Sequence, residues 1–193
     1  MGKGGVASIS SASGGGRDAS KIIRKGQGLT AKDARHVANA IAENDEIQTV
    51  DLSTNDIGPA GAKDIAEALD GSSVIRLSLM RNNVGKEGTT WIAKALEKNE
   101  FLAELNMADN NIDNDGAVEL AEMLKANESL YELDLSNNVI DVEGGVAIAE
   151  AIKFNPSIRA ISLWANKIGG LNATYDGGVA FGESLVCNQS IEE

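Results

Sequence analysis

The side chains in this chain that could carry chemistry are few. There is one histidine, His36, and one cysteine, Cys187, so a nucleophile activated by an imidazole has a single base to draw on. A Cys/His metal cluster has too few ligands to form. What remains are 29 acidic side chains against 17 basic ones, a formal net charge of −12. A carboxylate site would need these acids gathered, and along the chain they are scattered. There is no P-loop and no glycine-rich dinucleotide fingerprint, because Gly-Gly pairs such as Gly144-Gly145 fall at helix starts or in loops. This inventory predicts a non-enzyme with no cofactor and no metal. A single cysteine also precludes an intrachain disulfide scaffold. The acidic balance argues against nucleic acid as a partner and suits a protein partner with a basic segment. No apolar run approaches the roughly 18 residues that cross a bilayer, so no membrane insertion is expected.

The elements that would position any site come from an internal repeat. In Leu130–Pro156 the apolar residues Leu130, Leu133, Leu135 and Ile140 surround Asn138, the spacing L-x-x-L-x-L-x-x-N-x-L of a leucine-rich repeat. Sliding the pattern back by 28 aligns Leu102, Leu105, Met107, Asn110 and Ile112, and again Val74, Leu77, Leu79, Asn82 and Val84. Ile47, Val50, Leu52, Asn55 and Ile57 precede them, and Ile158, Ile161, Leu163, Asn166 and Ile168 follow. The short alternating run predicts a strand with one buried face. After it the chain turns over its own core, where Asn55, Asn82, Asn110, Asn138 and Asn166 are expected to form a ladder pairing otherwise orphaned backbone groups.

The second half of each unit has helical spacing. Val118, Ala121 and Leu124, with Leu120 beside them, are matched by Ile65, Ala66 and Leu69, by Ile92, Ala93 and Leu96, and by Ile148, Ala149 and Ile152. Three residues before each new unit stands Asn44, Gly71, Asn99, Asn127, Asn155 or Asn188. Both residue types tolerate a left-handed backbone, so this column is expected to end each helix in that conformation.

Taken in order, residues 1–18 read as a flexible Gly/Ser-rich tail. Residues 19–46 read as a degenerate N-terminal capping repeat, with Ile22 and Leu29 in core positions and Thr30 as N-cap of its helix. Five repeats follow over 47–190, starting at 47, 74, 102, 130 and 158. The last accommodates an inserted loop at 169–176 that carries Leu171 and Tyr175, a candidate binding element. Residues 191–193 begin an incomplete unit, so an end-to-end contact with a partner or second copy is expected at an uncapped C-terminal end.

The 28-residue unit, with glycine at the helix start (Gly61, Gly88, Gly116, Gly144) and phrases such as GAKDIAEAL and GAVELAEML, resembles the ribonuclease-inhibitor-like class of leucine-rich repeats. That resemblance covers residues 19–191 and implies an α/β solenoid: a right-handed horseshoe with parallel strands on the concave side and helices on the convex side. Within the class the chain is similar to the C-terminal domain of tropomodulins and to repeats of Ran GTPase-activating proteins and NOD-like receptors.

On such a horseshoe His36 and Cys187 lie about five strand spacings apart, on the order of 24 Å, too far to act together. The outward strand positions form columns instead. The first reads Thr49, Arg76, Glu104, Glu132, Ala160, the second Asp51, Ser78, Asn106, Asp134, Ser162, and the third Ser53, Met80, Ala108, Ser136, Trp164, with Arg81 and Asp109 beside it. Glu104 and Glu132 would be like-charged neighbours that a basic partner relieves. Arg76, Met80 and Arg81 form a contrasting positive spot, and Trp164 is a candidate hot spot. The expected function is a non-catalytic protein–protein interaction module, an adaptor or structural subunit that binds through this face and is cytoplasmic or cytoskeleton-associated. The alternatives are a GTPase-activating regulator using Arg76 or Arg81, and a tropomodulin-like actin filament capping factor.

Overall fold

The computed structural model describes residues 18–169. Each alternating run forms a three-residue strand whose middle residue points into the core: β1 (Lys21–Ile23), β2 (Thr49–Asp51), β3 (Arg76–Ser78), β4 (Glu104–Asn106), β5 (Glu132–Asp134) and β6 (Ala160–Ser162). Between them lie α1 (Ala31–Ala42), α2 (Gly58–Ala68), α3 (Gly85–Leu96), α4 (Asn114–Ala126) and α5 (Val142–Ile152). The six strands make one open parallel sheet in sequence order, and each helix packs on the next. Parallel neighbours require a crossover, which each helix supplies. The result is an α/β leucine-rich-repeat solenoid.

The core lies between sheet and helices. Val50, Leu77, Leu105 and Leu133 face it from the strands, closed off by the half-buried Ile22 and Ile161. From the helices come Ile65, Ile92, Leu120 and Ile148 with Leu69, Leu96, Leu124 and Ile152, all buried. Val118 departs from the reading of the sequence: it is exposed, and Leu120 takes the inward place beside Ala121 and Leu124. Val118 and Leu120 are two residues apart, about 200° around a helix, so they cannot both face inward. Helices pack this closely because of the glycines. A Cβ on Gly61 would stand 2.4 Å from Ile57 Cγ2 and 2.9 Å from Ala34 Cβ of the preceding helix.

Turns at both ends of the strands are fastened by asparagine. At the strand exits, Asn110 Nδ2 donates to the carbonyls of Leu79 (2.9 Å) and Ala108 (3.1 Å), while its Oδ1 accepts from the amides of Asn82 (3.0 Å) and Val84 (3.2 Å). Asn138 does the same one rung on, accepting from Asn110 and Ile112, and Asn55 accepts from Gln27 and Leu29 of the first rung. Asn82 and Asn166 complete the series through the carbonyls of Leu52 and Leu135.

The second asparagine column corrects an expectation. Of its described members only Gly71 has positive φ (69°), whereas Asn127 is extended at φ −81°, ψ 132°. The asparagines act through their side chains. Asn127 Nδ2 donates to the carbonyls of Leu96 (2.7 Å) and Asn99 (3.0 Å), and its Oδ1 accepts from the amides of Ser129 and Leu130. Asn99 and Asn155 repeat the pattern through Leu69 and Leu124. Each amide thus takes up a carbonyl left over at the end of the previous helix and starts the next strand. Apart from glycines, the left-handed residues flank the first ladder instead: Thr54, Arg81, Asp109, Asn137 and Ala165 just before it, and Asn83 and Asn111 just after it.

Candidate interaction face

The sheet register sets the open face. Residue pairing runs Lys21, Thr49, Arg76, Glu104, Glu132, Ala160 in one column and Ile23, Asp51, Ser78, Asn106, Asp134, Ser162 in the next. The same 28-residue count, carried back one step from Thr49, would have placed β1 on this face; the sequence reading began one strand too late. Met80 and Trp164 lie further along their repeats, and Trp164 is 77% exposed.

Charges on the face are organised differently from a free positive spot beside a repelling acidic pair. Arg76 Nε reaches across to Glu104 Oε1 at 2.7 Å, and Arg81 Nε to Asp109 Oδ2 at 3.1 Å. Tyr131 donates its hydroxyl to Glu104 as well. These contacts push the Arg76 guanidinium up, through Glu104, and push the Tyr131 hydroxyl up, first through its hydrogen bond to Glu104. Glu104 therefore has two donors, and the repulsion foreseen between Glu104 and Glu132 is relieved inside the chain. Glu132 is left exposed at the neighbouring position.

The acids of the second column fasten the backbone. Asp51 Oδ1 accepts from the Ser53 amide at 2.9 Å, and Asp134 Oδ1 from the Ser136 amide at 2.9 Å while its Oδ2 accepts from Asn106 Nδ2 at 3.1 Å. Asn106 Oδ1 accepts from the Ala108 amide at 3.0 Å. The signal for this was present as Asp or Asn followed two residues later by Ser or Ala, the composition of a side-chain-capped turn. Tyr131 was missed altogether; it follows Leu130 just before β5 and looks like a surface aromatic until Glu104 is placed beside it. At the strand-entry edge, Tyr131 and Glu128 line a shallow groove with Pro156, Ser157 and Arg159.

Among the described residues no group of three or more His, Cys, Asp or Glu side chains could hold a metal ion, and no helix is long and apolar enough to cross a membrane. His36 is exposed on α1. Leu171, Tyr175, Cys187, the incomplete unit at 191–193 and residues 1–17 of the tail lie outside the described residues.

Comparison with known proteins agrees with this geometry. A family model described as Leucine Rich repeat matches residues 47–66, 98–121 and 126–149. No curated protein matches the sequence. Among solved structures, the chain is similar to the Caenorhabditis elegans tropomodulin C-terminal domain, with a TM-score of 0.63 and 16% identity over 81% of this chain and 93% of that one. It is also similar to Leiomodin-1 Actin-Binding Site 2, with a TM-score of 0.55 and 16% identity over 88% of this chain and 80% of that one. At this identity the likeness is one of fold.

Proposed function

This chain is a leucine-rich-repeat protein, and from that premise we propose that it is a non-catalytic protein-interaction module, an adaptor or structural subunit that binds a partner through the open face of its sheet. One observation carries the reading: Trp164, a large aromatic two residues past β6, is 77% exposed; the strand's alternation, continued past Ser162, assigns it to that face, where burial against a partner would remove apolar surface from water. Glu132, exposed beside the Arg76–Glu104 pair, supplies a charge for a basic segment of that partner. A cytoplasmic, cytoskeleton-associated setting belongs to the same proposal.

The GTPase-activating alternative loses ground on the face itself. Arg76 and Arg81 would be its transition-state donors, yet both already hold carboxylates of the next repeat. The actin-capping alternative is supported by the fold shared with Leiomodin-1 Actin-Binding Site 2 and tropomodulin. Affinity capture with the intact chain, with Trp164→Ala and with a chain lacking residues 1–20 tests the leading reading. Loss of partners with Trp164→Ala is the expected result. Partners that persist in that variant and vanish with the tail would place the site elsewhere. Slowed growth of actin filament ends by the purified chain would select the capping alternative.

A further inference from the structure

The open face divides by charge along the solenoid. Its outward columns, from the first strand residue to the left-handed turn residue, carry Lys21, Lys25, Arg76 and Arg81 against Asp51 alone in the first three repeats. In the last three they carry Glu104, Asp109, Glu132 and Asp134 and no basic residue. At the β3/β4 boundary the two signs meet and cancel, because Arg76 and Arg81 bridge to Glu104 and Asp109. Each end also offers an exposed apolar side chain, Ile23 (53%) beside the basic end and Trp164 (77%) beside the acidic end.

We propose that this face takes one extended protein segment carrying both signs of charge, its acidic stretch over the β1 end, its uncharged middle over β3 and β4, and its basic, apolar stretch over β5 and β6. The inference rests on the open face being the binding surface and goes beyond it by fixing which end of the partner lies where. Charge complementarity is the reason. A uniformly basic segment long enough to cross the sheet would gain at Glu132 and lose at Lys25, whereas a segment with two blocks gains at both. Lys21 is shared with Asp18 at 2.6 Å, so Lys25, exposed and in register with Ser53, is the freer cation of the basic end. The neutral seam between the ends asks for no charge on the middle of the segment. Five strand spacings of about 4.8 Å are crossed by roughly seven or eight extended residues, so the occupant is a short linear segment.

Three synthetic peptides of about ten residues test this: one with an acidic block followed by a basic block containing leucine, one of the same composition with the charges alternating, and the basic block alone. The two-block peptide is expected to bind the full chain about five- to tenfold tighter than the alternating one at low salt, with that advantage shrinking at high salt. The double variant Lys21→Glu/Lys25→Glu should abolish the advantage and leave the affinity of the basic block unchanged or higher. Equal affinities for the two-block and alternating peptides, or an advantage that survives the double variant, would overturn the inference. The underlying reading is probed separately: a basic block that binds intact chain and Trp164→Ala equally well sinks the face itself, and the inference with it.

Discussion

The buried asparagine columns and the open-face columns run across the same repeats and obey opposite rules. In the ladder through Asn55, Asn82, Asn110, Asn138 and Asn166 every rung is the same residue, its Nδ2 donating to a backbone carbonyl of the preceding repeat. On the open face, Lys21, Thr49, Arg76, Glu104, Glu132 and Ala160 share one column and no two adjacent rungs are alike except Glu104 and Glu132. A buried turn sets one chemical requirement, which each repeat must meet. A solvated strand face sets none, so variation there is free to be shaped by a partner. Sameness marks what holds this solenoid together; the proposed binding would use the difference.

Breaking the comparison should therefore cost stability on one side and binding on the other. The largest loss is expected for Asn110→Ala, which strands the buried amides of Asn82 and Val84 and takes one of two donors from the carbonyls of Leu79 and Ala108; unfolding in urea should show destabilisation of about 3 kcal/mol. Gly61→Ala comes next, because the added methyl meets Ile57 and Ala34. The helix gains from alanine, but overpacking should leave a net loss of about 1–2 kcal/mol in the same assay.

Glu104→Gln is expected to leave the fold intact and report locally. The charge on Glu104 holds the Tyr131 hydroxyl protonated, so its titration stands above the ordinary tyrosine value of 10.0. A raised folded-state value means that the contact stabilises the fold below the unfolded value and is lost as pH rises through the folded one. In Glu104→Gln the tyrosinate absorbance of Tyr131 should appear at lower pH than in the parent; an unchanged titration would mean that Glu104 does not hold the hydroxyl. A Tyr175→Phe background isolates the signal, since these are the chain's two tyrosines.

The smallest effect is foreseen at the exposed Asp18, held at about 2 first by Lys21 and then by Ser20. Its depressed value contributes stability that is present above the unfolded value and fades as pH falls through about 2. In Lys21→Gln the Asp18 carboxyl resonance should titrate at higher pH than in the parent, with little change in midpoint at neutral pH.

The fold was legible because the period is regular. Once Leu133, Leu135 and Asn138 were found to recur at intervals of 28, the strand register followed, since parallel repeats stack residue on equivalent residue. The face was legible as columns and illegible as contacts. That Arg76 pairs with Glu104, and Glu104 with Tyr131, depends on side-chain directions that a period does not encode. The second asparagine column misled for a different reason: Asn and Gly occur at helix ends through two mechanisms, a left-handed backbone and a side-chain cap, and composition alone does not separate them. Gly71 uses the first, while Asn99, Asn127 and Asn155 use the second. Val118 misled because it competes with Leu120 for the inward place, and only the packing of α4 between its neighbours decides which residue wins.

The division of labour between buried sameness and exposed difference is tested most directly by measuring affinity and stability together on Trp164→Ala. With a captured partner in hand, titration should show binding weakened about tenfold or more, while the urea midpoint of the free chain corresponds to a change within about 0.5 kcal/mol of the parent. An unchanged affinity, or an affinity that falls only in step with a lowered midpoint, would contradict the assignment of the open face as the working surface.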